Sequence, residues 1–203
     1  MATLTQVKDR RELLLAAVPG LFALHEFIEG FVWLGHNGTV PCQVAHGAGA
    51  AFVLYADGIL PFLLPFAVFL IEPTQRQRRR MLGFVILGGL LALYLNWGLI
   101  AYPLQVFEQA HSIVYINVIT NTTLVALLYV IATCGALFFS GYRPLVELGW
   151  FNLVGLIVVA LVKRYAFTSV WCAYAAAVSV IIYFFFRRSR VERFNLRALI
   201  TAI

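Results

Sequence analysis

Leu13-Leu-Leu-Ala-Ala-Val-Pro-Gly-Leu-Phe-Ala-Leu-His25-Glu26-Phe-Ile-Glu29-Gly-Phe-Val-Trp33-Leu34 is long and apolar enough to cross a bilayer as one helix. It nevertheless carries three ionisable side chains within five residues. Each costs roughly 2.5–3.5 kcal/mol at membrane depth on insertion scales, so such residues face a bundle interior or a wet cavity and mark a site. This stretch decides the fold class and points to where function sits.

The rest of the chain repeats the apolar pattern. Of 203 residues, 62% are hydrophobic and only 12% charged, where a soluble domain is nearer half and a quarter. Mean hydropathy is +0.88. Six segments are predicted to span: 13–34, 45–71, 81–102, 121–140, 145–162 and 167–186. The expected fold is all-α, a polytopic bundle of six spanning helices plus an outer interfacial or re-entrant helix. Residues 1–12 form a short N-terminus, 13–186 one bundle domain and 187–203 a basic tail. The first apolar run is too long for a signal h-region, and no small-residue cleavage site follows it.

Charge sets the expected orientation. Lys8, Arg10, Arg11, Arg76, Arg78, Arg79, Arg80, Arg143, Arg187, Arg188, Arg190, Arg193 and Arg197 fall on one side, with Lys163 and Arg164 opposite. The positive-inside rule then places both termini in the cytoplasm of a plasma or inner membrane. The net charge of +6 is explained by these segment ends, not by nucleic-acid binding. The Arg76–Arg80 run would attract anionic lipid, although anchoring topology suffices to explain it. Cys42, Cys134 and Cys172 lack paired spacing, so no disulfide framework is expected.

Segment two holds Pro61 and Pro65, which remove backbone donors and kink a helix beside Asp57. Gly88 and Gly89 permit close helix approach in segment three. In the connector 103–120, Val106, Phe107, Ala110, Ile113 and Val114 form one stripe when read as a helix. Gln105, Glu108, Gln109, His111, Ser112 and Tyr115 form the other, the pattern of a helix lying on the outer surface.

At 100° per residue, His25, Glu29 and His36 share one helix face, with Glu26 and Trp33 on its flank. Glu29 and His25 lie about 7 and 13 Å below the outer end, from a rise of about 1.5 Å per residue. His46 and Asp57 share a face of segment two, with Asp57 about 18 Å deep. Histidines and buried carboxylates thus gather in the outer half or at the midplane, while the inner half of segments four to six is apolar apart from small hydroxyls, Asn152 and the boundary residue Glu147. That asymmetry predicts an outward-facing pocket more readily than a full transport path.

Three chemistries fit the cluster. A divalent metal such as zinc, iron or manganese could be held by His25, Glu29, His46, Glu108 and His111; Glu108-x-x-His111 has the spacing found in di-iron bundles. Metal-free acid–base chemistry could use His25, Glu29, Asp57, His111 and Tyr115, with Trp33, Asn96 and Trp97 binding substrate. Buried polar residues can also simply join helices. No phosphate loop, G-x-S-x-G or HExxH occurs, no mid-membrane lysine suits retinal, and only one deep histidine is available for haem. Asn37-Gly-Thr and Asn121-Thr-Thr match glycosylation acceptors but lie close to the membrane.

The stretch from Leu21 through Trp33 to Gly35 resembles a family of uncharacterised small bacterial and archaeal integral membrane proteins, domain of unknown function family 6629. Leu70-Ile-Glu-Pro, His111-Ser-Ile-Val-Tyr and Ser169-Val-Trp-Cys-Ala-Tyr-Ala-Ala-Ala-Val-Ser resemble it too, so that the likeness runs from about residue 12 to 186. It implies a multi-span bundle, no known activity, and signature positions at Glu29, Gly30, Trp33, His111, Tyr115, Trp171 and Cys172. Members are expected to begin with an additional hydrophobic segment, from which this chain departs.

The expected function is a membrane-embedded enzyme or binding protein for a small or lipid-like molecule in the bilayer. A proton-coupled transporter or channel, with Glu29 and Asp57 as relay, and a structural subunit of a membrane complex are the alternatives.

Overall fold

Every predicted apolar segment folds as helix. The structure is a computed structural model that describes residues 3–118, 122–162 and 166–187. Asn121, Lys163, Arg164 and the tail beyond Arg187 lie outside the described residues. The helices are α1 (Leu13–His36), α2 (Cys42–Val53), α3 (Leu60–Ile71), α4 (Gln75–Ala101), α5 (Thr123–Phe138), α6 (Arg143–Val162) and α7 (Phe167–Val178). The α7 path continues to Arg187 past a turn at Ser179. A π-helical segment, Leu54–Ile59, joins α2 to α3.

Among the described residues, five helical runs are long and apolar enough to cross a membrane: 10–36, 42–71, 75–101, 143–162 and 167–187. Segment four falls short. Thr122 caps α5 by accepting from the Val125 N–H, and the helix ends at Phe138, giving 16 residues. At about 1.5 Å per residue that is about 24 Å, less than a hydrocarbon core of about 30 Å. The apolar faces of the bundle point outward: Leu93, Ile100 and Leu161 are 71%, 87% and 80% exposed. In water such a surface would aggregate; against lipid it is the expected exterior.

The connector corrects the sequence reading. It is a β-hairpin, β1 (Gln105–Gln109) paired antiparallel with β2 (Ser112–Ile116), with Val106 opposite Tyr115 and Glu108 opposite Ile113. Val106, Phe107, Ile113, Val114, Tyr115 and Ile116 are β-branched or aromatic residues that favour strands. The helical stripe was an accident of spacing. Ala110 and His111 form the two-residue tip, both with positive φ (47° and 60°), as primed hairpin turns require.

Two large apolar cores stack along the bundle, beside a small third cluster of Leu91, Leu95 and Val125. One, toward the arginine-rich end, is built from Leu15, Val18, Leu64, Met81, Leu137 and Leu145. The other, under the hairpin, contains Val32, Phe52, Ile113, Tyr115, Trp171 and Cys172. The hairpin is thus a packed part of the bundle.

Candidate functional site

The predicted face of α1 is buried where it matters. His25 is 1% exposed and Glu29 6%. The His25 ring stacks on Phe52 at 3.8 Å between centroids and lies 4.7 Å from the Tyr55 ring. Neither imidazole nitrogen, nor Glu26 Oε1, nor the Tyr55 hydroxyl has a hydrogen-bond partner among the described residues. Glu29 is better served. The Tyr115 hydroxyl donates to its Oε1 at 3.2 Å, and the Ser169 side chain of α7 hydrogen-bonds to the same carboxyl. Burial pushes the Tyr115 phenol well above its usual range, and the adjacent Glu29 charge adds to the shift, so Tyr115 stays a donor. Phe52 stacks on Tyr115 as well, at 4.8 Å.

Asp57 sits in the π-helical segment, and the prolines explain that geometry. Pro61 has no N–H for the Asp57 carbonyl and its ring crowds the preceding turn. The chain absorbs this by widening: the Leu60 N–H reaches back five residues to the Tyr55 carbonyl. Two carbonyls of this segment accept hydrogen bonds from neighbouring helices. Asn96 Nδ2 of α4 donates to Gly58 O at 2.9 Å and to Ala92 O at 2.8 Å. The Tyr129 hydroxyl of α5 donates to Ala56 O at 2.7 Å. The segment is therefore a supported feature of the bundle, not a frayed end.

A cavity of about 500 Å³ opens between this segment and helices α5, α6 and α7. Asp57, Tyr115, Tyr129 and Cys172 line one part, and Leu156, Phe167 and Trp171 belong to its apolar wall. Asp57 makes no hydrogen bond or ion pair among the described residues. No lysine or arginine among them lines the cavity.

Other predicted site residues do not join this centre. His46 is exposed on α2. His111 is at the hairpin tip with a side chain 98% exposed, its Nδ1 3.7 Å from Glu108 Oε1. Glu108 Oε2 pairs instead with His36 Nε2 at 2.6 Å, which ties β1 to the end of α1. His25, Glu29, His46, Glu108 and His111 are therefore dispersed, and no three His, Cys, Asp or Glu side chains among the described residues are grouped to hold a metal. The helical reading of the connector had misplaced Glu108 and His111. Of the predicted substrate contacts, Trp33 packs in the hairpin core, Asn96 is spent on the π segment, and Trp97 faces outward, 53% exposed, beside Tyr94 and Tyr102.

The sequence reading passed over Tyr129 and gave Glu72 no role. Glu72 is fully buried at the far end of α3; its Oε1 accepts from the Ser140 hydroxyl at 2.6 Å and the Gly141 N–H at 3.0 Å. Its carbonyl accepts from Arg78 Nε at 2.8 Å. It fastens the α5–α6 turn to the α3–α4 turn. An acidic residue just before a proline at the end of an apolar run was the available signal.

The model of a family of unknown function (DUF6629) matches residues 1–197. The chain belongs to the DUF6629 family. The match is wider than the stretch on which the resemblance rested. No curated protein and no solved structure gives a significant match to this DUF6629 member.

Proposed function

We propose that this DUF6629 member is a membrane-embedded binding protein for a small amphipathic molecule. The single observation that carries this reading is the cavity of about 500 Å³, with Asp57 unpaired at its wall and apolar residues around it. A volume of that size matches small-molecule sites, which are largely apolar with a few placed polar groups. Asp57 is the polar anchor. Tyr115 shapes the wall, and Glu29 acts through it by fixing the hairpin. The loop charges support a plasma or inner membrane with cytoplasmic termini and the hairpin end outside, so that the ligand enters from the outer half.

Packing below the cavity supports binding over passage. Toward the arginine-rich end, Leu60, Leu64, Leu137 and Leu148 leave only a void of about 30 Å³. A proton-coupled transporter would need a wetter path there.

The test is saturable quenching of Trp171 fluorescence by a neutral, brominated dodecyl alcohol in maltoside micelles. Trp171→Phe removes the signal that reports the cavity. Ala160 of α6 also lines the cavity, and Ala160→Phe, which fills it, should abolish saturation while the protein stays folded. Quenching that never saturates, or that persists unchanged in Ala160→Phe, would refute the reading.

A further inference from the structure

We propose that the cavity selects a cationic amphiphile, an alkylamine or quaternary ammonium whose head seats against Asp57; the inference rests on the binding reading above. Charge comes first. Asp57 lines the cavity without a partner, and no lysine or arginine among the described residues lines it to balance the carboxylate. Bringing an anionic head there would place like charges together in a low-dielectric site, whereas a cation neutralises a carboxylate that is costly to leave alone.

Hydrogen-bond accounting points the same way. The two phenols on the cavity wall have already committed their protons. Tyr115 donates to Glu29 Oε1 at 3.2 Å and Tyr129 to the Ala56 carbonyl at 2.7 Å. What their hydroxyls leave for a guest is oxygen lone pairs, not donors. Phe167 and Trp171 add two further rings, parallel within 8° and 6.0 Å apart. Acceptors, an aromatic lining and one carboxylate suit a guest that brings positive charge, since aromatic rings attract a cation as they do not a neutral or anionic head. A purely packing role for Asp57 would give it a helix partner, as Asn96 and Tyr129 have; it has none among the described residues.

The experiment uses the full chain in maltoside micelles and three brominated dodecyl probes that differ only in head: trimethylammonium, hydroxyl and carboxylate. The readout is the saturable part of the quenching that Trp171→Phe removes. The trimethylammonium probe should bind about tenfold more tightly than the hydroxyl probe, and the carboxylate probe more weakly than either. Asp57→Asn should erase the preference for the cation, so that the trimethylammonium and hydroxyl probes no longer differ, and its thermal midpoint in the same micelles shows whether the variant is folded. The head series on the unaltered chain decides the question even if that variant fails to fold. Equal affinities, or a preference for carboxylate, would overturn this inference and leave the binding reading standing. Saturation by none of the three would overturn both.

Discussion

The Tyr115 hydroxyl on β2 donates to Glu29 Oε1 on α1 across 86 positions of sequence, so the hairpin is tied to the ionisable face of the first helix. Removing the donor leaves a buried acceptor with Ser169 alone, and a stranded buried group costs about 1–3 kcal/mol. Tyr115→Phe is therefore expected to lower the thermal midpoint in detergent, and Glu29→Gln, which can still accept, to lower it less. The double variant should lose less than the sum of the two singles, because they share one bond. The phenol is held protonated in the fold above its ordinary value, while the unfolded chain ionises near pH 10. Stability from this group is thus complete below about pH 10 and falls above it, and the fall should be shallower in Tyr115→Phe. Equal midpoints and equal alkaline profiles for the two proteins would remove the tie from the account.

The π-helical segment makes a second prediction. Asn96→Leu frees the Gly58 carbonyl and Tyr129→Phe frees the Ala56 carbonyl. Interhelical bonds of this kind are worth about 0.6–1.7 kcal/mol in membranes. Each variant should lower the thermal midpoint, and each should also weaken probe binding, because both carbonyls flank Asp57. Pro61→Ala restores an N–H for the Asp57 carbonyl and should let the segment relax toward an ordinary helix, raising stability while weakening binding. A Pro61→Ala protein that binds the probes as before would show that the widened turn has no part in the site.

Much of this was legible in residues. The spacing of His25 and Glu29 put both on one buried face, and Pro61 with Pro65 announced a distortion beside Asp57. Helix periodicity failed at the connector, because eleven polar and apolar residues fit two opposite stripes at 100° per residue by chance while their β-branched and aromatic content favoured strands. That one error displaced Glu108 and His111 into a supposed metal cluster. The roles of Tyr129 and Glu72 were missed for a different reason. Tyr129 bonds a backbone group, the Ala56 carbonyl, and Glu72 bonds the Gly141 N–H and the Ser140 hydroxyl of a distant turn, pairings that helix periodicity does not reveal.

The hairpin tip separates a structural from a chemical histidine. His111 has φ 60° and a side chain 98% exposed. Positive φ costs a side-chain-bearing residue about 1 kcal/mol or more and costs glycine little. His111→Gly is expected to raise the thermal midpoint slightly and leave probe binding unchanged. A loss of binding or of a co-purified metal on this substitution would restore His111 to the site. His36→Ala, which removes the partner of Glu108, should lower stability by only about 0.5 kcal/mol, the scale of partly exposed ion pairs.

Gly88 and Gly89 are neighbours in α4 with opposite expectations. Pro65 has no N–H to offer the Pro61 carbonyl, and α4 covers that carbonyl closely at Gly88. A Cβ placed on Gly88 would collide with Pro61 O and the backbone around it. Backbone cannot swing aside as a side chain does, so α3 and α4 would have to part along their shared face. Overpacking of this kind costs about 1–3 kcal/mol. On Gly89 a Cβ would meet only the Phe62 ring at 3.5 Å, an ordinary contact. Gly88→Ala should therefore lower the thermal midpoint and, by pushing α4 away from the π segment, lengthen the reach of Asn96 to the Gly58 carbonyl and weaken probe binding. Gly89→Ala should match or exceed the unaltered protein, since alanine is the better helix former by about 1 kcal/mol. Thermal unfolding of the pair in one detergent checks both, and equal midpoints would mean that α3 and α4 are not packed as closely as the Pro61–Gly88 contact requires.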